Sequence, residues 1–359
     1  MKIPSAYLDK LRAPLKLGLL TLDKPLKSGQ VLVQILATAI CGSQIGEIDG
    51  IKGDDKHLPH CLGHEAIARV VDSHESSKAQ DGEFVILHWM KGSGVDAPSG
   101  SYVDNGTRIN AGKITTFMSH AIVSENRLTK IAEPPPERIP LYSTIGCAHL
   151  TAYGVLTNDL KSTVQRRVLL IGGGGVGQAM IPHLRFQQTN EIVVIDRNVQ
   201  RQEQCRRLGA NAVFSGINAD FGKRFDAVID FSGDPKSIEH GYNLLNNTGT
   251  LCLVGVTPVG KKISIDPMPL HYGKQIVGSY GGSCNPDTDI KEVLARIETA
   301  PEFFSLQEFS IFPLERVNYA LDQLRLGKVP GRAIISFVEK NTETNRGTNP
   351  SARVQQILQ

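Results

Sequence analysis

Residues 168–196, VLLIGGGGVGQAMIPHLRFQQTNEIVVID, constrain this chain more than any other stretch. They open on Val168-Leu169-Leu170-Ile171, an apolar run suited to a strand buried on both faces. Gly172, Gly174 and Gly177 follow in G-x-G-x-x-G spacing, then a helix-length segment and a second apolar run closed by Asp196, 19 residues beyond Gly177. Each glycine has its own physical role. Gly172 permits a tight turn, Gly174 offers bare backbone to a pyrophosphate, and Gly177 lets helix and strand pack closely. Gly175 and Val176 lie at the helix N-terminus, where free N–H groups and the positive dipole end face anionic phosphate. The stretch therefore predicts a βαβ unit that binds a dinucleotide. Arg197 and Arg201 read either as a solvated helix start or as a 2′-phosphate site. Asp196 argues against the second, because its carboxylate accepts from a free ribose 2′-OH and repels phosphate, so NAD is preferred over NADP. Pro182, inside the helix, predicts a bend.

The rest of the chain bounds the possibilities. A length of 359 residues, 40% hydrophobic and 21% charged, suits a globular protein of two domains and excludes a disordered or fibrous one. The net charge of +3, without a basic stripe interleaved with aromatics, argues against a nucleic-acid partner. No apolar run reaches the roughly 18 residues that a membrane span needs, and no signal sequence opens the chain, so a cytoplasmic protein is expected. The six cysteines form no C-x-x-C pair and read as reduced thiols, in metal sites or in the core.

Residues 1–150 read as mostly β, with strands expected at 30–39, 66–71, 83–87 and 119–123. Residues 89–112 are polar and glycine-rich and read as a long surface loop or lobe. Prolines 134–136 and 140 mark a hinge. Over 151–285, strands and helices alternate, which implies a doubly wound parallel sheet with its ligand crevice at the strand C-terminal ends. Residues 286–338 read as two helices and a strand, and 339–359 as a polar tail or an oligomer contact.

A second constellation lies in the first half. Cys41-Gly42-Ser43 is followed, 23 residues after Cys41, by His64 in Gly63-His64-Glu65, and Cys147 stands in Gly146-Cys147-Ala148. Singly, each is more often a core thiol or a surface polar pair. Together, two thiols, an imidazole and a carboxylate are the donor types of a tetrahedral zinc site with an open position.

In this order, with the glycine turn, Asp196, the segment 230–233 and Gly331-Arg332-Ala333-Ile334, these residues resemble the medium-chain dehydrogenase/reductase superfamily, in particular its zinc-containing alcohol and polyol dehydrogenases. The resemblance runs over about residues 15–338. It implies an α/β protein in which a GroES-like, mostly β catalytic domain (1–150 and 286–338) flanks a Rossmann cofactor domain (151–285). It implies that Cys41, His64 and Cys147 bind catalytic zinc, with Glu65 a fourth or transient ligand. Ser43 would accept the substrate hydroxyl proton, Thr151 would pack beside the nicotinamide, and Arg332 would reach the pyrophosphate. Val256, just past a later strand, joins the cofactor-binding set.

The chain also departs from the family pattern. Residues 89–112, where many relatives carry four cysteines around a structural zinc, contain none, so a single catalytic ion is expected. Gly46 stands where a relay histidine is common, Gln44 where an aspartate is, and Ala68 where a glycine is. His57, His60, Cys61 and His149 are either pocket-lining or ordinary loop and core residues, and Cys205 and Cys252 read as packing. The expected activity is zinc- and NAD-dependent oxidation of a secondary alcohol, polyol or sugar-like small molecule by a homodimer or homotetramer. The alternatives are an NADPH-dependent aldehyde or ketone reductase and a non-catalytic dinucleotide-binding protein.

Overall fold

The computed structural model describes residues 1–338, apart from 23–24, 52, 77 and 162–166. The polar segment 339–359, expected as a tail or an oligomer contact, lies outside the described residues. The first half is built from β1 (Ile3–Leu8), β2 (Lys16–Leu22), β3 (Gln30–Ala39), β4 (His60–Cys61), β5 (Ala66–Asp72), β6 (Phe84–Leu87), β7 (Ser101–Asp104), β8 (Thr107–Asn110), β9 (His120–Ser124) and β10 (Leu128–Ile131). Strands β1, β2, β7, β8 and β4 close a small barrel. A second sheet runs β10-β6-β5-β3-β18-β17, with β9 also paired to β3; its last two strands, β17 (Phe309–Phe312) and β18 (Arg332–Ser336), return from the far end of the chain.

β3 is the hub because both of its faces are buried. Val31, Val33 and Ile35 pack with Ala66, Ala68 and Val70 in the barrel-side core. Beyond a register shift between Ile35 and Ala37, the end of the strand joins Ile67, Ile86 and Ile334 in another cluster. A β-branched run with little polar alternation is what such a strand requires.

Within the surface loop or lobe expected over 89–112, β7 and β8 form a hairpin that the sequence reading did not specify. Tyr102 and Ile109 face each other across this hairpin and are buried, at 0% and 1% exposure. The turn is Asn105-Gly106, both with positive φ (46° and 83°), as the mirror-image two-residue hairpin turn demands. Four-residue strands with polar outer faces hid the alternation, although the Asn-Gly pair was a usable signal.

The second half forms a parallel sheet of β11 (Arg167–Ile171), β12 (Glu191–Ile195), β13 (Ala212–Phe214), β14 (Phe225–Asp230), β15 (Leu245–Leu253) and β16 (Gln275–Gly278), in the order β13-β12-β11-β14-β15-β16. Strand order reverses between β11 and β14, so a crevice opens there at the strand C-terminal ends. The helix Gly175–Phe186 continues through the buried Pro182 without interruption. The next helix, Val199–Leu208, is capped by the Asn198 side chain at one end and by left-handed Gly209 at the other. Ile290, Val293 and Ile297 of the helix Pro286–Thr299 pack against Ile67 and Ile86 of the β3 sheet. Among the described residues no helix is long and apolar enough to cross a membrane.

The start of the cysteine-free segment is pinned by charge. Asp287, at the head of the helix Pro286–Thr299, accepts from Lys78 Nζ at 2.5 Å and from the Ser93 N–H at 2.6 Å. Burial alone would raise its carboxyl, but these donors outweigh it and bring the pKa down to about 2 from 3.8. A depressed carboxyl stabilises the fold above its unfolded pKa and loses that contribution as pH falls towards the folded value. The stability difference between wild type and Asp287→Asn should therefore be full above pH 3.8 and shrink towards about pH 2, read by urea unfolding across that window.

Candidate active site

The N-terminal cluster assembles from three elements. Cys41 caps the short helix Gly42–Ile48, directly after β3; His64 precedes β5; Cys147 lies in the π-helical turn Ile145–His149. The ligand atoms of Cys41, His64 and Cys147 lie within 4.8 Å of one another. His64 Nε2 is buried there without a hydrogen-bond partner. The Cys147 thiol donating to Cys41 holds the Cys41 thiol well below its ordinary range, against the effect of burial and with help from His64. Cys147 is correspondingly raised by that bond and by burial. Two soft sulfurs sharing one proton beside an orphaned imidazole nitrogen fit zinc in donor chemistry and in number, with a fourth position left for another ligand.

Glu65 does not join this group. Fully buried, it accepts from Arg332 at 2.5 Å with one oxygen and from the Cys147 and Ala148 N–H groups at 3.1 and 3.3 Å with the other. Burial pushes its pKa up to about 7 in spite of the Arg332 charge. Glu65, expected as a fourth or transient ligand, in this arrangement joins Arg332 to the Cys147 turn.

Arg332, on β18, is 3% exposed and reaches the nucleotide side as well. A Cβ at Gly175 would stand 1.9 Å from its guanidinium, so only glycine there lets the helix start rest on Arg332. The rest of the turn has the geometry its glycine spacing predicts. Gly172 has φ +107°, and a Cβ at Gly177 would meet the Gly172 carbonyl at 2.1 Å. Asp196 follows β12 directly and accepts from the N–H groups of Gly173 and Asn198, both at 2.8 Å. Its neighbour Arg197 is exposed, and Arg201 lies 3.9 Å from the carboxylate.

Ser43 is exposed in the first turn of the helix that Cys41 caps, Thr151 is 5% exposed one turn after Cys147, and Val256 is 69% exposed just past β15. His149 belongs to the core: fully buried, it bonds His183 at 3.2 Å and Gln307 at 2.9 Å. His60 is tied to Asp55 at 2.7 Å, His57 is exposed, and Cys61, Cys205 and Cys252 are core thiols that burial raises to about 12. All six cysteines are free.

Two contacts were not foreseen from the sequence, although Gln44 stood out there as a departure from the family pattern. Gln44, 1% exposed, contacts both Cys41 and His64; its place three residues after a helix-capping Cys41 was the available signal. Trp89 packs edge-to-face on Tyr280, with ring centroids 5.0 Å apart. Trp89 follows β6 of the first half and Tyr280 follows β16 of the second, so this pair joins the two halves.

Removing the Arg332 charge leaves Glu65 buried and unpaired. Arg332→Met should therefore cost about 3–5 kcal/mol in urea unfolding. The double variant Glu65→Gln/Arg332→Met should recover part of that loss.

Known proteins agree with this geometry. Residues 27–133 match the alcohol dehydrogenase GroES-like domain family, and residues 175–299 match the zinc-binding dehydrogenase family. An alcohol dehydrogenase zinc-binding domain protein from Burkholderia ambifaria superposes with a TM-score of 0.84 at 22% identity, over 94% of this chain and 100% of that one. Benzyl alcohol dehydrogenase from Acinetobacter calcoaceticus gives a TM-score of 0.82 at 22% identity, over 94% and 100%. Acetophenone reductase from Geotrichum candidum, solved with NAD, gives 0.76 at 18% identity, over 94% and 98%. The chain belongs to the medium-chain dehydrogenase/reductase superfamily and is an oxidoreductase of the alcohol dehydrogenase type.

Proposed function

We propose that the protein is a zinc- and NAD-dependent dehydrogenase that interconverts a small secondary alcohol, polyol or sugar-like substrate with its carbonyl. The observation that carries this is the position of Arg332. One guanidinium touches both the carboxylate next to His64 and the head of the glycine-turn helix, so donor cluster and dinucleotide crevice share one cleft. Cys41, His64 and Cys147 would hold the ion. When bound, zinc supplies Lewis-acid polarisation of the alcohol oxygen, and the nicotinamide accepts the hydride.

The chain's own residues do the rest. Ser43 takes the alcohol proton and passes it to solvent. Thr151 would pack beside the nicotinamide, and Val256 would line its side of the crevice. The N–H groups of Gly174, Gly175 and Val176 would cradle the pyrophosphate, and Asp196 would select a free ribose. Glu65 and Arg332 fix the distance between the two halves. A single ion would be held here, since residues 89–112 offer no cysteine for a second.

A second reading concerns direction and substrate. The Trp89–Tyr280 pair puts aromatic surface between the two halves, which favours an aldehyde or ketone with an apolar or aromatic arm, reduced with NADH or NADPH. The names of the benzyl alcohol and acetophenone enzymes point the same way. A non-catalytic binding role gains nothing from a thiol–imidazole cluster open to a fourth ligand. For assembly, β16 is the outermost strand of its sheet, with Tyr272 and Met268 exposed before it, and this edge supports a homodimer or a homotetramer.

Protein never exposed to chelator should contain one zinc per chain by elemental analysis. Nicotinamide absorbance should follow turnover in a panel of polyols, secondary alcohols and aryl alcohols. Absence of zinc sinks the metal reading. Asp196→Ala should weaken NAD binding about 10- to 100-fold, the worth of a hydrogen bond to a charged acceptor, and strengthen NADP binding by removing the repulsion of the 2′-phosphate.

A further inference from the structure

Gln44 carries a constraint that the ligand set does not. Its Oε1 accepts from the Cys41 backbone N–H at 2.8 Å, and its Nε2 meets His64 Nδ1. The Cys41 N–H can only donate, which fixes the amide oxygen on that side and turns the NH2 group towards the ring. Nδ1 therefore accepts, and the proton of the neutral ring sits on Nε2, facing the two sulfurs.

That arrangement suits an empty site better than a loaded one. A neutral imidazole that ligates through Nε2 keeps its proton on Nδ1 and needs an acceptor there. Gln44 would then face two donors, the Cys41 N–H and the Nδ1–H, with a single oxygen between them. Rotating the amide only exchanges which donor meets the NH2. A carboxylate of the same length would offer an oxygen to each.

We propose that Gln44 is a positioning residue that stabilises the metal-free form of the Cys41–His64–Cys147 site and so keeps its metal exchangeable. The inference rests on the zinc reading above. Substituting Gln44→Met keeps length and removes both amide groups. The Cys41 N–H then lacks its acceptor with and without metal, so that loss cancels in the affinity. What remains is the loss of a favourable bond in the empty site and relief of a donor–donor contact in the loaded one. Gln44→Glu supplies both missing acceptors.

The test is competition for zinc between full-length protein and a chromophoric chelator. Gln44→Met should hold zinc several-fold more tightly than wild type, and Gln44→Glu roughly 10- to 100-fold more tightly, the usual scale for residues that orient a ligand. The neutral Met variant separates hydrogen-bond mismatch from the added charge of Glu. If Gln44→Met binds zinc equally or more weakly, Gln44 is only a support for His64 and the proposal falls. Zinc-free wild type should also melt above zinc-free Gln44→Met; the reverse order overturns it. Should the Met variant not fold, nitrogen NMR of the His64 ring in zinc-free wild type decides. A proton on Nε2 supports the proposal and one on Nδ1 refutes it. A wild type that never takes up zinc refutes the metal reading itself, whereas zinc uptake with the opposite variant order refutes only the role of Gln44.

Discussion

The buried ion pair between Glu65 and Arg332 is the joint on which both halves of the molecule close. Glu65 follows His64 and receives the N–H groups of Cys147 and Ala148; Arg332 arrives from the last described strand and lies under Gly175. Four distant parts of the chain thus meet at two side chains. A charge pair with so little solvent is expensive unless its remaining hydrogen-bonding capacity is met. Backbone donors meet that of Glu65, whereas Arg332 Nε stays without a partner. The pair is better understood as fixing geometry than as adding net stability.

That joint sets where the chemistry can occur. The donor cluster sits on one side, on a strand end and two helix starts. The glycine turn sits on the other, at the strand-order reversal between β11 and β14. Neither side is complete alone, because a dinucleotide crevice has no electrophile and a metal cluster has no hydride acceptor. Proximity matters most in such a divided site, and the joint holds the two sides at a fixed separation.

Much of this was legible in the residues. The glycine spacing with Asp196 pointed to the nucleotide turn, and β3 fell where its β-branched run placed it. The donor triplet was suggested by its ligand types and made specific only by resemblance, since Cys41, His64 and Cys147 are separated by long intervals that spacing rules do not join. What stayed hidden was partnership. Nothing local in Glu65 says that Arg332, 267 residues away, will claim its carboxylate, and nothing local in His149 says that His183 and Gln307 will enclose it in the core. Gln44 stands out in the sequence as a departure, but its contacts with two ligands depend on a tertiary approach. The β7–β8 hairpin was missed because its strands are short, even though Asn105-Gly106 announced a turn.

Trp89 is the chain's only tryptophan, and it stands half-buried against Tyr280 where the two halves face each other. Indole emission from this protein therefore originates at one place. The whole parallel sheet is silent at those wavelengths, while the cleft supplies its own optical label. A change in tryptophan signal would register events at the junction long before, or quite apart from, any loosening of the nucleotide half.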